Sequence, residues 1–279
     1  MKDRAFAKIN LCLDVVRKRE DGYHELKMIM VPIDFYDVLE MNFAQETSMK
    51  LNRAYLPVNE KNTVIKAIQV MKDTYHLEEN FACVLQKTIP TQAGLAGGSA
   101  DAAAAIRLIN RMCRLHLNDE TMIELGRQVG ADVPFCLINR PALVGGIGEE
   151  ISTFECHPDF ELLLVKPRRG VSTKAAFGAL DFDHIEHPDC EAMRTALINQ
   201  DYGGVIHSLG NSLEAVSLKL VPEIRQVKQE LVELGFDGVL MSGSGSTVFG
   251  ITKDRSLVTH GAEVMKHQGN FVRTTRIMR

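Results

Sequence analysis

Residues 90–105 read Pro-Thr-Gln-Ala-Gly-Leu-Ala-Gly-Gly-Ser-Ala-Asp-Ala-Ala-Ala-Ala, a glycine-rich run that leads into alanines. Glycines let backbone N–H groups approach an anion without side-chain obstruction. A helix starting there adds unpaired amides and the positive end of its dipole. Gly94, Gly97 and Gly98 would form such a cradle, with Pro90 and Leu95 in the same segment. Ser99 is placed to cap the helix and to offer a hydroxyl to a phosphate or a metal. An ordinary serine-capped loop before an alanine-rich packing helix fits the same pattern. No Gly-Lys dipeptide, no G-x-G-x-x-G and neither H-R-D nor D-F-G occurs. A nucleotide held here is therefore not held by a Walker A loop, a dinucleotide fold or protein-kinase machinery.

A second cluster, residues 241–250, contains Gly243, Ser244 and Gly245 between two short apolar runs, and alone it could be a flexible connection. Lys8 and Asn10 fall on one face of an alternating segment, beside Phe6 and Cys12. A solvated strand face is the alternative, but a covered lysine needs an anionic partner such as phosphate or carboxylate. Asp132 lies in Gly-Ala-Asp-Val-Pro-Phe just past an expected helix end, where the dipole disfavours a carboxylate by roughly 0.3–1 kcal/mol. It is a candidate acid–base group, and a plain turn aspartate is the other reading. His184, His187 and Cys190 have metal-like spacing but lie among Asp183, Glu186 and Asp189, without the four clean ligands of a structural zinc site, so no metal is assigned to them.

The elements that must position these groups follow from periodicity and turn chemistry. Residues 5–16 alternate as a strand, Asp21-Gly22 signals a turn, and 26–39 supplies more strand. Helical spacing covers 62–75, a strand 81–85, the glycine loop 91–98 and an alanine-rich helix 99–113. Asn118-Asp119 caps a helix that stops at Gly130. The pattern breaks at 153–159, which suggests domains at 1–155 and 156–279. Beyond it, strands are expected at 160–166, 238–241, 247–252 and 271–277, with helices at 221–234 and 256–268. Strands and helices mix without βαβ repetition, which favours an α+β fold.

Composition sets the outer limits. The 279 residues are 45% hydrophobic and 24% charged with a net charge of −4, values of a folded chain without the basic surplus that wraps nucleic acid. Six cysteines (Cys12, Cys83, Cys113, Cys136, Cys156, Cys190) show no C-x-x-C and read as unpaired thiols in a reducing compartment. No leader pattern and no run of eighteen apolar residues occurs, so a cytoplasmic chain without a membrane partner is expected.

Taken in order, these segments resemble the GHMP small-molecule kinase superfamily, and most of all its branch acting on 4-diphosphocytidyl-2-C-methyl-D-erythritol in non-mevalonate isoprenoid synthesis. Residues 7–11 followed by 21–26 are similar to its opening, 89–103 to its phosphate loop, 130–135 to its catalytic aspartate segment and 242–249 to its third motif; Lys166-Pro167, residues 170–173 and Phe177 also agree. The resemblance implies an N-terminal ribosomal-protein-S5-domain-2-like domain and a C-terminal ferredoxin-like domain, with ATP and substrate in the cleft between them. It implies ATP and Mg2+ as cofactors and a diphosphocytidyl sugar alcohol as the partner, in a monomer or weak homodimer. Asp132 would orient or deprotonate the acceptor hydroxyl, and Lys8 would steady it and the transferred phosphoryl. Asn10 and Thr173 would contact substrate, while Tyr23, His24 and Phe177 would frame the cytosine. Pro90, Gly94, Leu95, Gly97, Gly98 and Ser99 would cradle phosphates, Gly243, Ser244 and Gly245 would form the third glycine motif, and Asn62 and Lys87 would help place the nucleotide. A kinase for mevalonate or homoserine, or a non-catalytic metabolite-binding member, is the alternative. Gln92, Ala96, Ala100, Thr63 and Ser246 depart from residues the family often has there, glycine at 92 and 96 among them.

Overall fold

The computed structural model describes residues 1–278. In chain order the elements are β1 (Lys2–Lys18), β2 (His24–Ala44), β3 (Ser48–Leu51), α1 (Thr63–Tyr75), β4 (Asn80–Gln86), α2 (Gly97–Met112), α3 (Asp119–Val129) and α4 (Val133–Ile138). There follow β5 (Ala142–Gly145), β6 (Glu150–Thr153), β7 (Glu161–Lys166), α5 (Thr173–Gly178), α6 (Cys190–Ile198), α7 (Tyr202–His207), β8 (Gly210–Asn211) and α8 (Glu214–Leu220). The chain closes with α9 (Glu223–Glu233), β9 (Gly238–Met241), β10 (Val248–Thr252), α10 (Arg255–His267) and β11 (Phe271–Thr275). This is the mixed α+β content expected from the sequence. Among the described residues no helix is long and apolar enough to cross a membrane.

Two compact units divide the chain. The first holds Met1–Ala7, Phe35–Thr91 and Ala96–Asn139; the second holds Lys8–Asp34, Gln92–Leu95 and Arg140–Arg279. In the first, β4 pairs antiparallel with the second half of β2, from Val38↔Gln86 to Ala44↔Asn80, and β3 runs parallel beside it. Helix α1 packs on α2 and α3, and α2 on α3 and α4. Alanine makes this possible, because it favours helix and leaves neighbours room to approach: Ala100, Ala102, Ala103, Ala104 and Ala105 are all buried. Asn62 caps α1 by accepting from the Val64 N–H at 3.0 Å, and Asn118 caps α3 through the Thr121 N–H at 2.9 Å.

Two expectations are corrected here. Helix α2 starts at Gly97 with Ala96 at the N-cap, so Ser99 lies inside the first turn and caps nothing. Low helix propensity suggested that Gly97 belonged to the loop. Close packing overrides it, since a Cβ on Gly97 would lie 2.9 Å from Ile89 Cγ2. Asp132 also does more than trail α3: it occupies the N-cap of α4, whose first turn accepts Pro134. It thus precedes a helix start, where the dipole favours negative charge, although its side chain makes no capping hydrogen bond.

The second unit carries a four-stranded antiparallel sheet in the order β11-β7-β10-β9. Its first strand in sequence sits beside the last, and α10 connects β10 to β11, the ferredoxin-like order. β7 is apolar throughout its centre, with Leu162, Leu163, Leu164 and Val165 fully buried. β5 pairs with β2 at Met28–Met30 and with β6, while β8 runs parallel to β1 at Cys12 and Leu13. The short strands β3, β5, β6 and β8 carry too few residues for a periodic signal. The cysteine reading is corrected in part: Cys12 on β1 and Cys190 at the start of α6, 178 residues apart, form a disulfide, and Cys83, Cys113, Cys136 and Cys156 lie outside any disulfide.

Phe236 locks this sheet to α10. A Cβ on Gly250 of β10 would lie 2.6 Å from Phe236 Cδ1, and one on Gly261 of α10 would lie 2.9 Å from Cε2 of the same ring. Gly250→Ala is expected to lower stability by about 1–3 kcal/mol through overpacking, with Phe236→Leu restoring part of the loss. Urea midpoints check this, and an unchanged midpoint for the single variant would refute the packing assigned to Phe236.

Candidate active site

In the second unit the two glycine-rich segments meet backbone to backbone. Thr247 N–H donates to Ala93 O at 3.2 Å, Ser246 N–H to Gln92 O at 3.4 Å, and Ser242 Oγ to Gly94 O at 3.0 Å. Gly94 has φ +72°, and a Cβ there would overlap the Ser242 carbonyl. Only glycine allows that approach. From β1, Lys8 N–H donates to Leu95 O at 3.2 Å and Asn10 N–H to Ser242 Oγ at 3.3 Å. Asn211, which the sequence did not single out, donates through Nδ2 to Met241 O at 2.7 Å and Gly243 O at 2.8 Å, holding the second segment open. Its only sequence signal is an asparagine beside an apolar run, which many turns share.

Side chains named from the sequence gather around this seam. Lys8 Nζ donates to Asn10 Oδ1 at 2.6 Å, and both residues are buried, so the strand face is covered. Thr173, first residue of α5, hydrogen-bonds Ser244 between hydroxyls at 3.0 Å. His24 packs against Phe177 with ring centroids 5.0 Å apart, and Tyr23 stays exposed beside it. Phe182 was missed: it lies nearly parallel to His24, 7° between planes and 5.9 Å between centroids. Burial, with a smaller contribution from the Lys18 charge, lowers the His24 pKa, which keeps the imidazole neutral near pH 7. His184, His187 and Cys190 go three separate ways, to Asp181, to Asp14 and to Cys12.

In the first unit, Gly97, Gly98 and Ser99 make the opening turn of α2, which has no side-chain cap, and Thr63 Oγ1 donates to Gly98 O at 2.7 Å. Pro90 stands at the other end of the segment, after Ile89, and Asn62 is committed to capping α1 while its Nδ2 donates to Pro57 O at 2.8 Å. Lys87 is almost wholly buried between two carboxylates, Asp37 Oδ2 at 2.5 Å and Asp101 Oδ2 at 2.7 Å. Burial opposes its charge, but attraction to Asp101 and Asp37 outweighs burial and raises its pKa above the ordinary lysine value. Asp37 Oδ1 is well supplied, accepting from Thr88 N–H at 2.5 Å and Ile89 N–H at 2.8 Å. Asp101 Oδ1 is buried without a hydrogen-bond partner. Burial pushes the Asp101 carboxyl up to about 8, against the downward pull of Lys87 and with the repulsion of Asp37 adding to it.

The family model described as GHMP kinases N terminal domain matches residues 62–140, and that for GHMP kinases C terminal matches 193–270. The chain belongs to the GHMP kinase family. This GHMP kinase is 43% identical over 252 residues to the 4-diphosphocytidyl-2-C-methyl-D-erythritol kinase of Exiguobacterium sibiricum, covering 90% of this chain and 88% of the relative. It is 42% identical to the Bacillus subtilis enzyme of the same name over 92% of this chain and 89% of the relative. Among solved structures, a 4-(cytidine 5'-diphospho)-2C-methyl-D-erythritol kinase superposes with a TM-score of 0.82 at 30% identity over 99% of both chains. A homoserine kinase from Cytophaga hutchinsonii shares the fold, with a TM-score of 0.74 at 17% identity over 98% of this chain and 94% of that one.

Against that family the unusual Gln92 and Ala96 acquire a physical meaning. Their φ angles are 51° and 55°, left-handed values that glycine adopts freely and that cost other residues roughly 1–2 kcal/mol. Hydrogen bonds at the seam hold the segment in this shape, the Gln92 and Ala93 carbonyls accepting from Ser246 and Thr247 N–H and the Leu95 carbonyl from Lys8 N–H.

Two outcomes follow from this geometry. Gly94→Ala combines left-handed strain with overlap on Ser242 and is expected to cost upwards of about 2 kcal/mol, read as a fall in Tm; wild-type stability would contradict the seam. For Asp101, the folded state keeps a proton that the unfolded chain releases in the ordinary carboxylate range. Its stabilising contribution is therefore complete below that range and lost as pH rises to about 8. Urea midpoints of the wild type should decline from about pH 5 to about pH 8.5, and Asp101→Asn should flatten the slope, with parallel curves excluding the assignment.

Proposed function

We propose that this GHMP kinase transfers the terminal phosphate of ATP to the 2-hydroxyl of 4-diphosphocytidyl-2-C-methyl-D-erythritol, the compound whose kinases its relatives are named as. The observation that carries the substrate is the aromatic cluster of His24, Phe177 and Phe182 beside exposed Tyr23. Flat rings favour a flat base. A neutral imidazole presents one donor and one acceptor, which suits the uncharged edge of cytosine.

Phosphoryl transfer gains chiefly from positioning and electrostatics. Lys8, held by Asn10, supplies a fixed cation for the acceptor oxygen and the moving phosphoryl group, while Asn10 and Thr173 contact the sugar-alcohol part. Asp132 orients the acceptor hydroxyl or takes its proton. Pro90, Gly94, Leu95, Gly97, Gly98 and Ser99 hold the phosphates, the Gly243–Gly245 turn braces that segment, and Asn62 and Lys87 place the nucleotide by fixing the elements around it. Mg2+ would suit this arrangement, because it is held mainly by phosphate oxygens and water, and the Ser99 hydroxyl, which caps no helix, would offer one hard oxygen donor. Bound there it would neutralise charge on the transferred phosphoryl group.

Residues 1–155 and 156–279 act as the two domains in this reading, and the two family matches fall one in each. The enzyme works in the cytoplasm as a monomer or weak homodimer, on a small molecule and not on nucleic acid.

An ATP-consumption panel tests the proposal. The diphosphocytidyl alcohol should be turned over far better than mevalonate or homoserine, and equal turnover of either would overturn the substrate. Asp132→Asn should lower kcat by about 10²–10⁴-fold with KM for ATP retained. Full activity in that variant would remove Asp132 from the chemistry.

A further inference from the structure

The Lys87 ammonium is spent on two carboxylates, and the three groups come from three different segments. Asp37 stands in β2, Lys87 just after β4, and Asp101 in the second turn of α2. Each carboxylate ties Lys87 to one end of the phosphate segment. On one side, Asp37 Oδ1 accepts the Thr88 and Ile89 N–H groups immediately before Pro90. On the other, Asp101 belongs to the helix that begins at Gly97, and a Cβ on Gly97 would lie 3.2 Å from Lys87 Nζ and 2.9 Å from Ile89 Cγ2. The start and the end of the segment thus close on each other over the ammonium.

We infer that the buried Asp37–Lys87–Asp101 cluster is a positioning device for ATP: it clamps the two ends of the phosphate segment at the spacing its amides need, without touching the nucleotide itself. The inference rests on the ATP site described above and specifies how Lys87 serves it. Lys87 is about 4% exposed, Asp101 about 3% and Asp37 fully buried, so none of the three is on the surface. Such a cluster is poor value for stability alone, because burying an ammonium between two carboxyl groups costs most of what their attraction returns. What it adds is geometry. A lysine bonded to both carboxylates cannot shift without exposing a buried charge, so the segment has one low-energy spacing. The charged groups around Lys87 are the two aspartates, and the unpartnered Asp101 Oδ1 makes the α2 side the weaker anchor.

The weaker anchor is the one to change. In the full-length chain, assayed at about pH 8.5 where Asp101 is mostly ionised, Asp101→Asn keeps side-chain shape but replaces the carboxylate acceptor of the Lys87 ammonium by a neutral amide. Calorimetric titration with ATP and Mg2+ should show affinity falling about tenfold, and KM for ATP should rise in step. KM for the acceptor alcohol and kcat at saturating ATP should stay at wild-type values. A merely structural role would move both KM values together or neither, and either result overturns the inference. Should Asp101→Asn fail to fold, the triple replacement Asp37→Asn, Lys87→Met and Asp101→Leu removes all three charges while the amide at position 37 keeps an acceptor for the Thr88 and Ile89 N–H groups. A folded triple variant with wild-type ATP affinity overturns the inference, and one that has lost ATP affinity alone supports it. Wild-type protein that binds no ATP would fail the reading beneath it, a result that the same titration separates from a normal wild type with an unaffected variant.

Discussion

The second unit depends on a contact made almost wholly of backbone. Residues 92–95 and 242–247 exchange hydrogen bonds across a gap that admits no Cβ at Gly94. Once the main chains are this close, the rest of the local arrangement is constrained. Ser242 bridges the Gly94 carbonyl and the Asn10 amide, Asn10 receives Lys8, and Ser244 meets Thr173. A backbone seam suits a site that binds polyanions, because it is rigid without placing bulky groups in the way. The left-handed Gln92 and Ala96 are the visible cost of holding that shape without the family's glycines.

Two buried lysines show how neighbours decide what a charge can do. Lys8 donates to the Asn10 amide oxygen, which orients the ammonium. Lys87 is met by two carboxylates, so its charge is consumed within the protein and its work is to hold elements together. Both lysines look alike in the sequence, each a single cation in an apolar stretch. The difference lies in residues 14 and 50 positions away from Lys87. The aromatic cluster behaves similarly: His24 and Phe177 were recognised through family motifs, while Phe182 joined them only through the path of the chain after α5.

Short-range signals were readable where they were complete. Alternation revealed β1 and much of β2, Asn62 and Asn118 marked the starts of α1 and α3, and the apolar runs of the second half located β7, β9, β10 and β11. Failure came where a local preference was overruled or too short to register. Gly97 lies in a helix despite its low propensity, at a point where packing against Ile89 and Lys87 leaves no room for a Cβ. Asp132 opens α4, a helix of six residues that holds less than two turns of pattern. Cys12 and Cys190 share no local motif, and their pairing follows from α6 lying against β1.

By itself the chain's order of residues determined which segments are strands and helices, where backbone could approach an anion, and membership of a kinase family. Those properties depend on periods of two and 3.6 residues and on glycine's missing Cβ, all written within a few positions. Tertiary structure alone decided that Ser242 would serve Asn10 from 232 positions away, that Lys87 would be neutralised, and that Phe182 would back His24. Partners so distant are chosen by the packing of whole elements, in which each buried polar group must find a hydrogen bond wherever the fold supplies one.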